Sequence, residues 1–296
     1  MVEPFQKIGE YSLRVRSPAK VNLRLEVLSK RADGYHNIRT AMVPIDLVDV
    51  LEIALTDDGA IRVHCSRADL PVDERNLAYR AASVFLRATG RRTGVQIGIE
   101  KRIPVSAGLG GGSSNAAGTL CGMNRLLGAP LSQTDLLGLA SEIGADVPFF
   151  VYGRPALATG IGERLEPLTG LPRFWFVLVD PGISVSARWA YERANLWLTN
   201  RDDHINMRAF PYDISNLDRF LINDLEKGVE QEYPVLRWIK SRLLTVGSTA
   251  SLMAGSGSTV YGLFLGRERA EEAYQQLKSE FEGRRWDVFL ARSIGY

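Results

Sequence analysis

Hydrophobic and polar residues alternate over much of the first hundred positions, which is the pattern of β-strands that bury one face. The clearest case is Lys20–Leu28, where Val21, Leu23, Leu25 and Val27 fall on one side. The same pattern predicts strands at Tyr11–Arg16, Arg39–Asp46, Asp49–Leu55, Ile61–Cys65 and Val95–Ile99. Asp33-Gly34 predicts a hairpin turn after the Lys20–Leu28 strand, because this dipeptide tolerates positive φ.

Wider hydrophobic spacing and capping residues predict helices in the rest of the chain. The predicted helices are Asn76–Thr89, Ser113–Leu127, Ser132–Ile143, Ser186–Leu196, Leu217–Glu230, Val235–Leu244 and Arg267–Phe281. Further strands are predicted at Trp175–Val179, Thr259–Leu265 and Trp286–Ala291. Strands and helices come in separate runs instead of a regular β–α–β alternation, so the pattern favours an α+β fold.

Size and composition indicate two globular domains. The chain has 296 residues, of which 45% are hydrophobic and 24% charged, and a domain typically takes about 150 residues. Glycine and proline concentrate at residues 159–172. We therefore expect an N-terminal domain over residues 1–165 and a C-terminal domain over residues 166–296.

The charge balance argues against a nucleic-acid or membrane partner. Basic and acidic residues number 36 and 34, for a net charge of +2, and no long basic run interrupts this balance. The first residues lack the apolar core of a signal peptide, so we expect a cytoplasmic protein. Cys65 and Cys121 form neither a disulfide framework nor a metal-binding pair.

A glycine-rich segment is the most informative part of the chain. Four glycines fall within the five residues Gly108–Gly112, directly before a predicted helix. Glycines let backbone N–H groups approach a ligand closely, and a helix N-terminus favours an anion. The segment therefore predicts a phosphate-binding loop, with a flexible loop that binds nothing as the alternative. It is not a Walker loop, because Ser113 stands where that loop has lysine, and HRD and DFG motifs are absent.

Pro104–Ala117 closely resembles the PxxxGLGSSAA-type signature of the GHMP kinases, in which this loop wraps the triphosphate of ATP. Five more segments match motifs of one branch of that family, which phosphorylates the 2-hydroxyl of a cytidine diphosphate-linked methylerythritol. They are Ser17–Leu23, Arg31–His36, Ile143–Pro148, Ile222–Glu226 and Met253–Ser258. The matches run in order from about residue 11 to about residue 265 and cover most of the chain.

The resemblance implies a two-lobed GHMP kinase fold of α+β class. Its N-terminal lobe would be similar to ribosomal protein S5 domain 2, and its C-terminal lobe would be ferredoxin-like. It also implies ATP and Mg²⁺ as cofactors. The implied ATP-binding residues are Asn76, Lys101, Pro104, Val105, Ser106, Ala107, Gly108, Leu109, Gly110, Gly111, Gly112, Ser113 and Ser114, and Ser114 is also the candidate ligand of the metal.

Two residues match the catalytic positions of the family. Asp146 matches the aspartate that accepts the proton of the attacking hydroxyl, although an isolated aspartate before Val-Pro is more often a turn or cap residue. Lys20 matches the lysine that offsets charge on the reacting oxygens. Without the resemblance, Lys20 would be interpreted as a solvated strand residue.

The remaining matches concern the alcohol substrate. The resemblance implies contacts from Asn22, Tyr35, His36, Tyr191, Gly255, Ser256 and Gly257, of which Tyr35, His36 and Tyr191 would recognise cytosine. Trp189 is the alternative to Tyr191 as the aromatic side chain that would stack on cytosine. Asn76 and Lys101 also have ordinary alternatives, as a helix cap and as a solvated strand end.

Arg24 and Ala187 depart from the usual family residues. The sequence leaves three other functions open. These are a GHMP kinase for another small alcohol such as homoserine, mevalonate or a sugar, a nucleotide-binding protein without catalysis, and a nucleic-acid-binding module. No protein partner is implied by any motif.

Overall fold

The structure is a computed structural model that describes residues 4–194 and 217–295. Packing divides the chain into two units that interleave in sequence. Unit 1 consists of Met1–Ala19, Val48–Ile103 and Gly110–Gly153, and unit 2 consists of Lys20–Leu47, Pro104–Leu109 and Arg154–Tyr296. The units interleave because two long strands, Ser12–Lys30 and His36–Thr56, each have one end in unit 1 and the other end in unit 2. The single domain boundary expected after residue 165 stays a prediction.

Unit 1 contains a sheet and four helices among the described residues. In chain order its elements are β1 (Phe5–Gly9), the first part of β2 (Ser12–Lys30), the last part of β3 (His36–Thr56), β4 (Ile61–Cys65), α1 (Leu77–Thr89), β5 (Gly94–Glu100), α2 (Gly111–Leu126), α3 (Gln133–Ile143) and α4 (Val147–Tyr152). β1 pairs antiparallel with β2, β3 antiparallel with β5, and β4 parallel with β5.

Small residues bring α2 close to the sheet of unit 1. A Cβ atom added at Gly122 would lie 2.6 Å from Cδ1 of Ile53 and 3.2 Å from Cγ2 of Val15. One turn earlier, a Cβ atom at Gly118 would lie 2.5 Å from Oγ of Ser17. The glycines therefore form the contact face of the helix, which explains why this predicted helix is so poor in large apolar residues.

The helix ends in unit 1 follow the capping residues in the sequence. Asn76 caps α1 by accepting a hydrogen bond from the backbone N–H of Ala78, and Gly90 ends the helix in the left-handed conformation. Ser132 and Asp135 form a reciprocal capping box at the start of α3. The predicted positions of both helices are confirmed.

Unit 2 contains the other halves of β2 and β3 and the C-terminal elements. These are β6 (Ala156–Gly160), β7 (Arg164–Pro167), β8 (Trp175–Asp180), α5 (Ala187–Ala194), α6 (Leu217–Phe220), β9 (Ile222–Asn223), α7 (Glu226–Glu232), α8 (Val235–Thr245), β10 (Ala250–Met253), β11 (Val260–Phe264), α9 (Arg267–Glu280) and β12 (Asp287–Arg292). Four strands form an antiparallel sheet in the order β10-β11-β8-β12. β3 pairs with β6, and β6 with β7.

The structure differs from the predicted elements at several places. The predicted helix Leu217–Glu230 is wrong as one element, because β9 interrupts it and pairs in parallel with Arg24 and Leu25 of β2. The strands predicted at Tyr11–Arg16 and Lys20–Leu28 are parts of one continuous strand, β2. Those predicted at Arg39–Asp46 and Asp49–Leu55 are likewise parts of β3. The last two residues of the predicted helix Ser186–Leu196 lie outside the described residues. Among the residues described, no helix has the length and apolar character needed to cross a membrane.

The close contact of α2 with the sheet predicts a large effect of added volume at Gly122. We expect Gly122→Val to lower the free energy of unfolding by about 2 kcal/mol, because the new side chain overpacks against Ile53 and Val15. Urea unfolding of the purified variant measures this change.

The matched control is Gly138→Ala in α3, where an added Cβ atom meets nothing within 4 Å. This variant should gain roughly 0.5–1 kcal/mol from helix propensity. Equal stability of Gly122→Val and the wild type would show that α2 does not depend on this close approach.

Candidate active site

One face of β2 is both polar and buried. Lys20, Asn22, Arg24 and Glu26 alternate with the apolar residues of this strand, yet none of the four is more than 4% exposed. We call these four residues the polar face of β2. Because buried polar groups are costly unless they are hydrogen-bonded, each needs a partner inside unit 2.

A chain of hydrogen bonds fixes the ammonium group of Lys20. Its Nζ donates to Oδ1 of Asn22 at 2.7 Å, and Nδ2 of Asn22 donates to Oγ1 of Thr40 at 2.8 Å. The Thr40 hydroxyl in turn donates to the backbone carbonyl of Arg24 at 2.6 Å. The amide of Asn22 is therefore held in the orientation that presents its oxygen to Lys20. The Tyr261 hydroxyl supports the same residue by donating to the Asn22 carbonyl at 2.8 Å.

Arg24 and Glu26 form a buried ion pair. The Arg24 guanidinium donates through Nε to Glu26 at 2.8 Å and through a second nitrogen to the carbonyl of Phe220 at 2.9 Å. Arg39 donates to the other carboxylate oxygen of Glu26 at 2.6 Å. Burial by itself raises the pKa of Glu26, but hydrogen bonds from Arg39 and Arg24 outweigh it and leave the pKa below its ordinary value. This ion pair explains how arginine is accommodated at position 24.

Two glycines bring the glycine-rich segment and the matched segment Met253–Ser258, which we call the third motif, against Lys20. A Cβ atom on Gly108 would lie 1.8 Å from the carbonyl oxygen of Ala254, and Gly108 has a φ of +79°. A Cβ atom on Gly255 would lie 2.7 Å from the carbonyl oxygen of Gly108 and 2.8 Å from Nζ of Lys20. Neither position has room for a side chain. The structure thus brings the predicted residues Lys20, Asn22, Gly108 and Gly255 together in unit 2.

The part of the glycine-rich segment that belongs to unit 2 is held at alternate residues. Ala107 and Leu109 are buried, and their carbonyls accept hydrogen bonds from the backbone N–H groups of Thr259 at 3.3 Å and Lys20 at 3.0 Å. Ser106 is exposed and has a φ of +54°. The predicted residues Pro104, Val105 and Gly108 are half-buried.

Sequence reasoning missed two residues that hold the third motif. Asn223 donates through Nδ2 to the carbonyls of Met253 at 2.9 Å and Gly255 at 2.7 Å. Glu226 accepts a hydrogen bond from the backbone N–H of Met253 at 2.8 Å. Burial raises the pKa of the Glu226 carboxyl, although Lys240 opposes the shift. The available signal was their place in the matched segment Ile222–Glu226.

The other residues of the third motif differ in exposure. Gly257 is buried with a φ of +85°, and a Cβ atom there would lie 2.6 Å from the sulfur of Met253. Ser256 is half-buried between two buried glycines. Of the three predicted residues, Ser256 is therefore the least buried.

The start of α2 in unit 1 has the features of an anion site. Gly110 precedes the helix in the left-handed conformation, with a φ of +72°, and Gly111, Gly112, Ser113 and Ser114 form its first residues. The hydroxyl of Ser114 is buried and has no hydrogen-bond partner among the described residues. It is therefore an oxygen donor that an incoming ligand or metal ion can use.

Lys101 and Asn76 both make contacts within unit 1. The Lys101 side chain is only 6% exposed and donates to the carboxylate of Asp49, so the alternative of a solvated strand end is wrong. Asn76 caps α1 and also donates to the carbonyl of Pro71 at 2.7 Å. Its contact with adenine stays a prediction.

Asp146 stands at the start of α4 but does not cap it. Its backbone is helical, with φ −86° and ψ −10°, and in this described part of the chain its side chain makes no hydrogen bond to the first helical turn. The structure therefore shows Asp146 as a turn residue that does not cap the helix with its side chain, and its catalytic role stays a prediction.

The aromatic candidates lie at or near the turn between β2 and β3 in unit 2. Tyr35 is 57% exposed, and its backbone N–H donates to Asp33 at 3.1 Å. The rings of His36 and Tyr191 are stacked, with centroids 5.3 Å apart and an angle of 18°. Trp189, the rival of Tyr191, instead packs edge-on against Tyr233 at 6.1 Å, under the guanidinium of Arg193. The structure therefore places Tyr191, and not Trp189, beside His36.

Two family models match the chain. The model of the GHMP kinases N terminal domain matches residues 76–154, and the model of the GHMP kinases C terminal region matches residues 212–283. Together with relatives of high identity and coverage, they show that the chain belongs to the GHMP kinase family.

Within that family, the chain is similar to curated proteins named 4-diphosphocytidyl-2-C-methyl-D-erythritol kinase. The protein of that name from Geobacter metallireducens is 44% identical over 283 residues, which are 96% of this chain and 99% of the relative. The one from Geobacter sp. strain M21 is 46% identical over 285 residues, with coverage of 95% and 99%.

Solved structures give the same result. A crystal structure of 4-(cytidine 5'-diphospho)-2C-methyl-D-erythritol kinase matches with a TM-score of 0.76 and 36% identity, over 95% of this chain and all of that one. A homoserine kinase from Cytophaga hutchinsonii matches with a TM-score of 0.74 at 20% identity, over 98% and 96%, and supports the fold alone. The predicted family and the α+β GHMP kinase fold are confirmed.

The contact between Gly255 and Lys20 predicts a loss of catalysis when a side chain is added. We expect Gly255→Ala to lower kcat for phosphoryl transfer by about 10- to 100-fold, because its Cβ atom would displace the Lys20 ammonium. Steady-state kinetics measure this change.

The matched control is Gly247→Ala. Gly247 also has a positive φ, of +94°, but an added Cβ atom meets nothing within 4 Å. This variant should lose stability from backbone strain and keep its kcat. If the two alanine variants had equal kcat values, the close approach to Lys20 would have no role in the reaction.

Proposed function

We propose that the chain transfers the γ-phosphoryl group of ATP to the 2-hydroxyl of 4-diphosphocytidyl-2-C-methyl-D-erythritol, giving the 2-phosphate and ADP. This step belongs to the non-mevalonate route to isoprenoid precursors. The observation that carries the proposal is the meeting of Lys20, Gly108 and Gly255 in unit 2. The substrate follows from relatives of that name that are at least 44% identical and match at least 95% of the chain.

Asp146 and Lys20 carry the chemistry in this proposal. Asp146 accepts the proton of the 2-hydroxyl as its oxygen bonds to the γ-phosphorus and the bond to the ADP oxygen breaks. The Lys20 ammonium, oriented by Asn22 and Thr40, offsets negative charge on the reacting oxygens. Both groups act mainly by position and charge, as is usual for phosphoryl transfer.

The nucleotide phosphates bind the glycine-rich segment and the start of α2. There the free backbone N–H groups and the helix dipole favour an anion. Mg²⁺, which prefers oxygen ligands and usually binds through few protein groups plus phosphates, would neutralise the phosphate charge. The buried hydroxyl of Ser114, which has no hydrogen-bond partner in the described part of the chain, fits such an ion. No cluster of three acidic, histidine or cysteine side chains suited to a metal occurs among the described residues.

Tyr35, His36 and Tyr191 recognise the cytosine end of the substrate. An exposed phenol ring can stack on a base, and an imidazole can hydrogen-bond its edge. Tyr35 offers such a ring at the end of the hairpin, and His36 lies beside Tyr191. Asn22 and Ser256 contact the methylerythritol part. Because its phosphoryl donor is ATP, we infer that the enzyme acts in the cytoplasm, and the proposal requires no protein or nucleic-acid partner.

Turnover by the purified protein tests this proposal. With ATP and Mg²⁺, we expect phosphorylation of 4-diphosphocytidyl-2-C-methyl-D-erythritol and none of homoserine or mevalonate, since these two alcohols carry no cytosine. ADP release measures the rate, and phosphorus NMR identifies the 2-phosphate. CMP should inhibit the reaction in competition with the cytidine substrate.

Two outcomes would contradict the proposal. Phosphorylation of homoserine or mevalonate in place of the cytidine substrate would keep the kinase and remove the cytosine site. Phosphorylation at a hydroxyl other than the 2-hydroxyl would show that the proposed position of the substrate is wrong.

A further inference from the structure

Asp49 is a fully buried carboxylate in unit 1 that the proposed mechanism does not use. Its Oδ1 accepts hydrogen bonds from the backbone N–H groups of Arg102 at 2.8 Å and Ile103 at 2.9 Å. Its Oδ2 accepts one from Nδ2 of Asn115 at 2.9 Å and another from Nζ of Lys101. Both oxygens are therefore satisfied by two donors each.

The four donors lie on the two sides of the glycine-rich segment. Lys101, Arg102 and Ile103 directly precede Pro104, and Asn115 follows the start of α2. Lys101 also donates to Oδ1 of Asn115 at 3.3 Å, which closes the network. Asp49 thus connects residues 101–103, which precede the glycine-rich segment, to helix α2, which follows it.

The network also places a positive charge next to the helix start. A Cβ atom on Gly111 would lie 3.0 Å from Nζ of Lys101 and 3.0 Å from Cγ2 of Ile103. The Lys101 ammonium therefore lies close to Gly111, the first residue of α2. The dipole of this helix is itself positive at its N-terminal end. A buried cation is costly in such a place unless an anion accompanies it, and Asp49 is that anion.

We propose that Asp49 is a positioning residue for the nucleotide. It holds Lys101 and the start of α2 in the arrangement that binds phosphates, and it does not itself contact the ligand. This inference rests on the proposed nucleotide site, but not on the identity of the alcohol substrate. The same contacts would also be found if Asp49 only stabilised the fold, so the test must separate affinity from stability.

Binding of ADP with Mg²⁺, measured by calorimetry without any alcohol, provides this separation. Asp49→Asn keeps the shape and one acceptor oxygen, but its amide group would face the donors of Lys101 and Asn115. We expect the Kd for ADP to rise by about 10-fold or more, because charge-assisted hydrogen bonds that order the site are lost. The KM for the alcohol substrate should change by less than about 2-fold, since the residues proposed to bind it, such as Asn22 and Ser256, are not partners of Asp49.

The double variant Asp49→Asn with Lys101→Met guards against loss of folding. It removes the buried cation that would otherwise be uncompensated, so thermal stability should recover towards that of the wild type. The double variant should bind ADP more weakly than Lys101→Met alone, in which Asp49 still accepts hydrogen bonds from both sides of the loop. An ADP affinity equal to that of Lys101→Met would overturn the inference and reduce Asp49 to a counter-ion of Lys101.

Asn124→Asp is the matched control on the same helix. Asn124 is buried and bridges the backbone N–H and carbonyl of Leu131, each at 3.0 Å, near the other end of α2. This variant should lose stability and keep its ADP affinity. An equal loss of ADP affinity in Asn124→Asp and Asp49→Asn would also overturn the inference. If the wild type bound no ADP, both the nucleotide site and this inference would be wrong, whereas tight binding by Asp49→Asn would contradict the inference alone.

Discussion

Burial of the polar face of β2 is the constraint on which the rest of unit 2 depends. A buried polar group without a hydrogen bond costs about 1–3 kcal/mol, so Lys20, Asn22, Arg24 and Glu26 require partners. Thr40 and Tyr261 meet this need for Asn22, and Arg39 and the carbonyl of Phe220 meet it for the ion pair. The result is a rigid frame around one ammonium group. An enzyme that stabilises charge in a transition state needs such a group fixed before the substrate arrives.

Two glycines contribute to the same arrangement around Lys20. Gly108 and Gly255 allow two backbone segments to approach each other and Lys20, where any Cβ atom would collide. Asn223 holds the second of these segments through two carbonyls. In unit 1, the carboxylate of Asp49 does comparable work on either side of the phosphate loop. The hydrogen bonds of Asn223 and Asp49 therefore both fix the backbone, so that its N–H groups are in position before a ligand binds.

The sequence predicted elements with local causes and failed where distant residues decide. The caps Asn76 and Ser132 and the alternation of Lys20–Leu28 correctly indicated α1, α3 and β2. The burial of the polar face of β2 could not be predicted, because Phe220, which accepts from Arg24, and Tyr261, which donates to Asn22, lie 196 and 239 residues away in the sequence. Distance in the sequence likewise explains β9, which pairs with β2 where local periodicity indicated a helix. The motifs located most candidate residues and included Asn223, but the supporting roles of Asp49 and Thr40 depend on contacts that no spacing reveals.

We infer that the polar face of β2 holds the Lys20 ammonium for phosphoryl transfer and that this ammonium does not stabilise the fold. A comparison of Lys20→Met with the wild type in two measurements on the same preparation tests this inference. These are the rate of ADP formation with 4-diphosphocytidyl-2-C-methyl-D-erythritol and the midpoint of thermal unfolding. We expect the rate of Lys20→Met to be at least about 100-fold lower, with its unfolding midpoint within about 4 °C of the wild type, because methionine fills similar space without a buried charge. A rate close to that of the wild type, or a loss of rate that merely follows unfolding, would contradict it.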